Sequence, residues 1–111
     1  MSRIIEIRSY TLKPGTRFEL HALMTTHALP MLLRWGVDVV DFGASPNDEN
    51  VYYLIRAYNT LEVLNTSQDA FYGSDEWRQG PREAILALIE NHISVVLELD
   101  EVTINGMRRS L

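Results

Sequence analysis

The hydrophobic pattern of this chain switches between a period of two residues and a period of three to four, and the order of the switches predicts the fold. Residues 3–12 alternate between apolar and polar side chains, as a half-buried strand does. Residues 37–44 and 51–58 are two further strands, and the short polar turn between them predicts a hairpin. Two helical regions and a last strand over residues 93–104 give the order β-α-β-β-α-β. This order is typical of an α+β, ferredoxin-like fold with a four-stranded antiparallel sheet.

The first helical region has one polar residue on an otherwise apolar stripe. The stripe has helical spacing and contains Leu20, Leu23, Met24, His27, Ala28, Met31, Leu32 and Trp35. Because His27 belongs to this stripe, we expect its side chain to face the sheet. Pro30 lacks a backbone N–H, so we expect a kink near Leu29 or a short second helix that starts at Pro30.

The second helical region contains several stop signals. A capped helix is expected to run to about Tyr72, and Ser74 is expected to cap a short helical turn after it. Pro81 suits the first turn of a further helix, which we expect to continue to about Asn91. The Arg-rich end of the chain predicts a frayed tail or a small hairpin.

Composition narrows the class of protein. We expect one domain over residues 1–111, and the net charge of -5 with scattered basic residues argues against nucleic acid as a partner. The chain has no cysteine, which excludes disulfides and thiolate zinc sites. His21 and His27 lack the spacing of a helical zinc pair, so no metal and no cofactor is expected. Without an apolar run of a membrane span or a secretion signal, we expect a cytoplasmic protein.

A four-stranded sheet with helices on one face leaves its other face to be covered. We expect that second face to carry a large apolar patch made of Tyr10, Tyr52, Leu54, Tyr58 and Val96. Two-fold symmetry makes such a patch complementary to itself. We therefore expect a homodimer in which this face meets a second copy.

Several segments together resemble NIPSNAP-family domains. The strand from Ile5 to Leu12 with the turn Lys13-Pro14-Gly15 resembles the opening of such a domain. The resemblance extends over about residues 3–104. It includes residues 30–36, the strand over residues 51–58 and the motif Ser74-Asp75-Glu76-Trp77. The resemblance implies a dimeric α/β-barrel fold, in a superfamily that includes cofactor-free antibiotic-biosynthesis monooxygenases, small stress-response barrels and haem-binding relatives. It implies no catalytic residue, because the family has no agreed catalytic set.

The candidate ligand-binding residues are polar or aromatic side chains on mostly apolar elements: His27, Glu6, Arg8, Tyr10, Arg56, Tyr58 and Trp35. Glu6 with Arg8 or Arg56 predicts a buried ion network, which serves either as a structural device or as a pocket for an anion or carbonyl group. His27 is either a core histidine, or a general base or haem ligand. Trp35 is either a core or interface anchor, or a stacking surface for a substrate.

Three functions remain open from the sequence. The leading hypothesis is a homodimer that binds a small organic or anionic ligand between its sheet and helices, or inside its barrel. The second is a cofactor-independent, monooxygenase-like enzyme, in which His27 with Tyr53 or Tyr58 transfers protons on a phenolic substrate. The third is a protein-interaction module.

Overall fold

The computed structural model describes residues 1–109, which form one antiparallel sheet and a set of helices. The strands are β1 Ser2–Leu12, β2 Asp38–Ala44, β3 Val51–Tyr58 and β4 Ile89–Asp100. The helices are α1 Arg17–Leu23, a π-helical turn Met24–Ala28, α2 Leu29–Arg34, α3 Leu61–Tyr72, α4 Asp75–Gln79, α5 Arg82–Leu86 and α6 Glu101–Gly106. The strand order β2-β3-β1-β4, with every neighbouring pair antiparallel, confirms the predicted ferredoxin-like fold. Among the described residues, no helix is long and apolar enough to cross a membrane.

One face of the sheet packs against helices α1 to α5 and is called the helix face. Tyr52, Leu54 and Tyr58 are buried in this layer, and Tyr10 packs against it. The expectation that these residues meet a second copy is therefore wrong, because the helices already cover them. β1 and β3 carry apolar side chains on both faces, so the alternation alone does not show which face the helices occupy.

The opposite face, called the open face, is covered only in part. Ile5 and Ile55 are buried there beneath Ile104 of α6. Farther along the sheet, the β4 side chains on this face remain in contact with solvent: Ile93 is 67%, Val95 48% and Leu97 39% exposed. The patch that a second copy is expected to cover thus lies on the open face.

The π-helical turn Met24–Ala28 precedes the proline of the first helical region. Pro30 has no N–H, so the carbonyl of Thr26 loses the donor that an α-helix would provide. The Leu29 N–H donates instead to the Met24 carbonyl, five residues back, and α2 begins at Leu29. The predicted short second helix is therefore confirmed, one residue earlier than expected and joined to α1 by a wider turn.

Less helix follows Pro81 than the pattern predicted. α5 ends at Leu86 and β4 begins at Ile89, so the predicted helix to Asn91 is wrong. β4 pairs with β1 over almost its full length, from the pair Ser2–Asp100 to the pair Leu12–Ile89. Because β1 is 11 residues long, its exposed edge offers a continuous set of hydrogen-bonding groups, which outweighs the local helical pattern.

The end of the described chain folds back onto β2. The Asp100 carboxylate accepts from the Thr103 N–H at 2.8 Å and starts α6, so β4 ends before the predicted Ile104. Farther on, Arg108 pairs with Asp38 at 2.6 Å and Arg109 with Asp41 at 2.9 Å. The prediction of a frayed tail or hairpin is therefore wrong for residues 105–109, and residues 110 and 111 lie outside the described part.

Candidate ligand-binding site

Glu6 and Arg56 form an ion pair across two neighbouring strands. They are register partners on β1 and β3, and Glu6 Oε1 lies 2.6 Å from Arg56 Nη2. Arg8, which lies two residues farther along β1 and on the same face, donates to Glu6 Oε2 at 2.9 Å. Glu6 is 3% and Arg56 1% exposed. The predicted ion network is therefore present, and it lies between the sheet and the helices.

Helix α3 supplies neutral partners for these charges. Gln68 and Tyr72 lie one turn apart and project from the same side of the helix. Gln68 Nε2 donates to Glu6 Oε1 at 2.9 Å, and Gln68 Oε1 accepts from Arg8 Nη2 at 3.2 Å. The Tyr72 hydroxyl oxygen accepts from Arg56 Nη1 at 2.8 Å and from Arg8 Nη1 at 3.1 Å. The helix thus fixes the directions in which both guanidinium groups point.

The three ionisable groups of this network are charged at neutral pH. Burial alone would raise the pKa of Glu6, but Arg56 and Arg8 outweigh burial and hold the pKa at about 2. Burial would lower the pKa of Arg56, yet the nearby tyrosines, Tyr72 foremost, and Glu6 raise it above its ordinary value. Two guanidinium groups and one carboxylate leave the network with one net positive charge. The Arg56 Nε is buried without a hydrogen-bond partner among residues 1–109, so the polar groups of the network are not all satisfied.

A cavity of about 80 Å³ lies beside this network, between the helix face and the helices. Its lining comprises Arg8, Tyr10, Met24, Ala28, Leu32, Leu54, Phe71, Tyr72, Trp77, Ile85, Leu86, Ile89 and His92. A wider depression of about 360 Å³ adjoins it at the surface and is lined by Arg8, Tyr72, Trp77, Arg82, Leu86 and His92. The two spaces share most of the residues of this depression, so we describe the depression as the mouth of the cavity.

An aromatic wall closes one side of the cavity. The rings of Phe71 and Trp77 lie 5.5 Å apart, and those of Tyr72 and Trp77 meet edge to face at 5.4 Å. Ser74 positions this wall, because its hydroxyl donates to the Phe71 carbonyl at 2.6 Å and accepts from the Trp77 N–H at 3.2 Å. The predicted cap at Ser74 is confirmed, and it joins α3 to α4 in the geometry that brings the three rings together.

Polar groups are confined to one part of the cavity surface. Arg8, Tyr10, Tyr72 and His92 reach it, and the rest of the lining is apolar or aromatic. Burial, with a smaller contribution from Tyr72, raises the pKa of Tyr10 to about 12, so its hydroxyl keeps its proton at neutral pH. His92 is the register partner of Tyr10 on β4, and the ring centroids are 6.2 Å apart. This arrangement suits a ligand with an apolar body and one end that accepts hydrogen bonds.

Five of the predicted ligand-binding residues come together on the helix face. Arg8 and Tyr10 line the cavity itself. Glu6 and Arg56 lie behind that surface and hold Arg8 and Tyr72 in place. Tyr58 is also buried, and its hydroxyl accepts from the side-chain amide of Gln68 at 3.3 Å. A role of these residues in binding a ligand stays a prediction.

His27 and Trp35 do not reach the cavity. The π-helical turn changes the rotation of the helix, so His27 is exposed and the expectation that it faces the sheet is wrong. It therefore does not line the cavity, and its role as a ligand-binding residue stays a prediction. Trp35 is 41% exposed, and its Nε1 donates to Glu76 Oε1 at 2.7 Å. Its ring packs edge-on against Phe71, on the outside of the aromatic wall.

Sequence reasoning missed Gln68, Tyr72 and His92. The helix predicted to continue to about Asn91 would have left His92 at its end, whereas His92 lies in β4 opposite Tyr10. Extending the alternation of the last strand back to Ile89 would have put His92 on the helix face. Gln68 and Tyr72 lie one turn apart near the end of a predicted helix, but no sequence signal shows that this side of the helix faces Glu6.

The comparisons with known proteins establish a shared fold. The sequence matches no protein-family model, and no curated protein matches it significantly. A NIPSNAP family protein from Agrobacterium tumefaciens superposes with a TM-score of 0.81 at 14% identity, over 89% of this chain and 87% of that chain. An uncharacterized NIPSNAP-like domain protein from Burkholderia xenovorans has a TM-score of 0.79 at 18% identity, over 86% and 83%. A protein from Nitrosomonas europaea, proposed to be an antibiotic biosynthesis monooxygenase, has a TM-score of 0.64 at 15% identity, over 85% and 95%.

At these identities the likeness is one of fold, and it confirms the resemblance that the sequence predicted. The chain therefore has the fold of these NIPSNAP-family proteins, and in this chain that fold is a four-stranded antiparallel sheet in ferredoxin-like order with helices packed on one face.

Proposed function

We propose that this chain is a single-domain, homodimeric binding protein that holds a small organic ligand in the cavity between its sheet and helices. The observation that carries the proposal is the cavity itself, which is apolar and aromatic except for donors clustered beside Arg8. Apolar side chains around such a space make favourable packing contacts with an apolar ligand of matching size.

The size of the cavity limits the ligand. The inner cavity has a volume of about 80 Å³. Pockets for drug-sized ligands are larger, about 300 to 1,000 Å³. The inner cavity therefore suits one compact group such as a single ring, and the mouth gives room for substituents.

Two features of the sheet edges support the homodimer. The chain end covers β2, since the Arg109 N–H donates to the Val40 carbonyl at 3.0 Å. β4, the opposite edge, is 12 residues long and exposes Val95 and Leu97 on the open face. A long exposed edge strand with apolar side chains favours association with another sheet. A second copy of the same chain presents the matching surface.

The monooxygenase-like hypothesis is not carried forward, because its residues are not assembled. His27 is exposed, whereas Tyr58 is buried on the helix face. Tyr53 points to the open face, where its hydroxyl donates to Asp41 Oδ2 at 2.8 Å. These three residues do not share a space in which a phenolic substrate could meet a proton acceptor.

The ligand proposal is tested with para-cresol, a neutral ring of suitable size, added to the uniformly labelled protein during amide NMR. Ala28 lines the cavity, so Ala28→Leu fills part of it, whereas Ala22→Leu enlarges an exposed alanine six residues earlier in the chain. We expect saturable shifts at cavity residues in the wild type and in Ala22→Leu, and their loss in a folded Ala28→Leu. No saturable shift in the wild type, or equal binding by both variants, would overturn the proposal.

A further inference from the structure

We propose that the natural ligand is a compact monoanion, an aromatic or branched carboxylate, whose carboxylate is held by Arg8 and Tyr72 while its apolar body fills the cavity. This inference rests on the proposed function and names the ligand class of the same site. Three independent features lead to it: the charge of the network, the donors that it leaves unused, and the charge around the mouth.

The buried network lacks one negative charge. Arg8 and Arg56 face only one carboxylate, that of Glu6, and their other side-chain partners among residues 1–109 are neutral. A charge taken out of water is costly unless an opposite charge lies nearby. A monoanion bound beside Arg8 balances the network, whereas a dianion such as a phosphate monoester would leave an excess negative charge.

Two donors at the cavity surface are unused. A guanidinium group has five N–H bonds, and Arg8 makes four hydrogen bonds, to Ser94, Tyr72, Glu6 and Gln68, which leaves one N–H. The Tyr72 hydroxyl oxygen accepts from Arg8 and from Arg56, so its own hydrogen must point away from both guanidinium groups. Within residues 1–109, no hydrogen bond uses that hydrogen. Both residues line the cavity, and one N–H together with one O–H is a donor pair that the two oxygens of a carboxylate can accept.

The entrance to the cavity favours anions although the protein is acidic. The chain carries a net charge of -5, yet Arg8 and Arg82 line the mouth, and neither the mouth nor the cavity has an Asp or Glu among its described lining residues. A cleft lined by one sign of charge concentrates ligands of the opposite sign. The other residues that line the cavity, among them Ala28 and Trp77, are apolar or aromatic and would contact the apolar body of the ligand.

The test compares two ligands of nearly the same shape, para-toluate and its neutral amide, para-toluamide. We expect the wild type to bind para-toluate at least about tenfold more tightly, the ratio expected for hydrogen bonds to a charged group. This preference should decrease as salt is added and should fall in Tyr72→Phe, which removes only the hydroxyl. In Arg8→Gln it should disappear, while in Arg78→Gln, an exposed arginine outside both spaces, it should remain.

Binding of para-cresol tests the proposed function separately from the carboxylate inference. If the wild type binds para-cresol and does not prefer para-toluate over para-toluamide, the carboxylate inference is wrong and the proposed function stands. If none of the three compounds binds, both are wrong. Arg8→Gln also removes a partner of Glu6, so its result is interpreted only if this variant still binds para-cresol. If it does not, Tyr72→Phe is the deciding variant. An unchanged preference of Tyr72→Phe for para-toluate over para-toluamide overturns the inference.

Discussion

Arg56 reaches across from β3 to Glu6 on β1, and its other terminal nitrogen donates to the Tyr72 hydroxyl of α3 at 2.8 Å. One buried side chain thus joins the middle of the sheet to the helix that covers it. The residue does not line the cavity, so we regard it as a positioning residue for Tyr72 and, through Glu6, for Arg8.

Replacing Arg56 by methionine should destabilise the fold strongly. The substitution leaves the Glu6 carboxylate buried with Arg8 as its only cationic partner, and removal of one member of a buried ion pair costs roughly 3–5 kcal/mol. The matched control is Arg34→Met, since the Arg34–Glu76 pair is exposed and screened by solvent, so its loss should change the stability little. Urea unfolding of the two variants measures the difference, and equal losses would show that the buried pair has no special role.

The stability of the protein should fall in acid because of Glu6. Burial opposes the charged form of this carboxyl, but Arg56 and Arg8 lower its pKa from 4.5 to about 2. A group with a lowered folded pKa stabilises the protein above its unfolded pKa, and this contribution is lost as the pH falls from about 4.5 to 2. In Glu6→Gln this part of the pH dependence should be missing, with lower stability already present at neutral pH.

The control for the acid experiment is Glu90→Gln, which changes an exposed carboxyl of β4. Urea unfolding at a series of pH values should give the wild-type acid dependence in Glu90→Gln and a flatter one in Glu6→Gln. The same slope in all three proteins would mean that Glu6 does not gain stability from its arginine partners.

A charge on the open face should prevent dimer formation. Val95 is exposed on β4 next to Leu97, and glutamate in its place puts a like charge near its symmetry mate at a two-fold interface. Light scattering should give about twice 12.7 kDa for the wild type and 12.7 kDa for Val95→Glu. Leu61→Glu, at an exposed position of α3, should remain dimeric. A wild-type protein that is monomeric at micromolar concentration would exclude the dimer.

Gly80 should not tolerate a side chain. A Cβ atom there would collide with the backbone carbonyl of Glu76, at the junction that directs α5 along the cavity. Gly80→Ala should therefore lose about 1–3 kcal/mol of stability. At Gly106 a Cβ meets nothing within 4 Å, so Gly106→Ala should be neutral or stabilising by at most about 1 kcal/mol. Thermal unfolding of both variants measures the difference between their stability changes. Equal stability of the two variants would show that the α4–α5 junction can shift to accept the side chain.

Local patterns were sufficient where a structural feature depends on neighbours in sequence. Glu6 and Arg8 share a face because side chains two residues apart on a strand point the same way. Arg56 lies opposite Glu6 because β3 pairs with β1, which the order of elements already implied. The network of these three residues was therefore predictable. The position of His27 was not predictable, since the predicted stripe assumed α-helical spacing up to the break at Pro30, whereas the turn Met24–Ala28 is π-helical and His27 is exposed.

The sequence by itself determined the β-α-β-β-α-β order, the antiparallel sheet and the pairing of Glu6 with the arginines, since each follows from periodicity and local stop signals. Tertiary structure decided which face the helices cover, where β4 begins and which residues surround the cavity. The physical reason is that these outcomes depend on contacts between distant segments. His92 reaches the cavity only because β4 pairs with β1, and Tyr72 because α3 packs over Glu6 and Arg56.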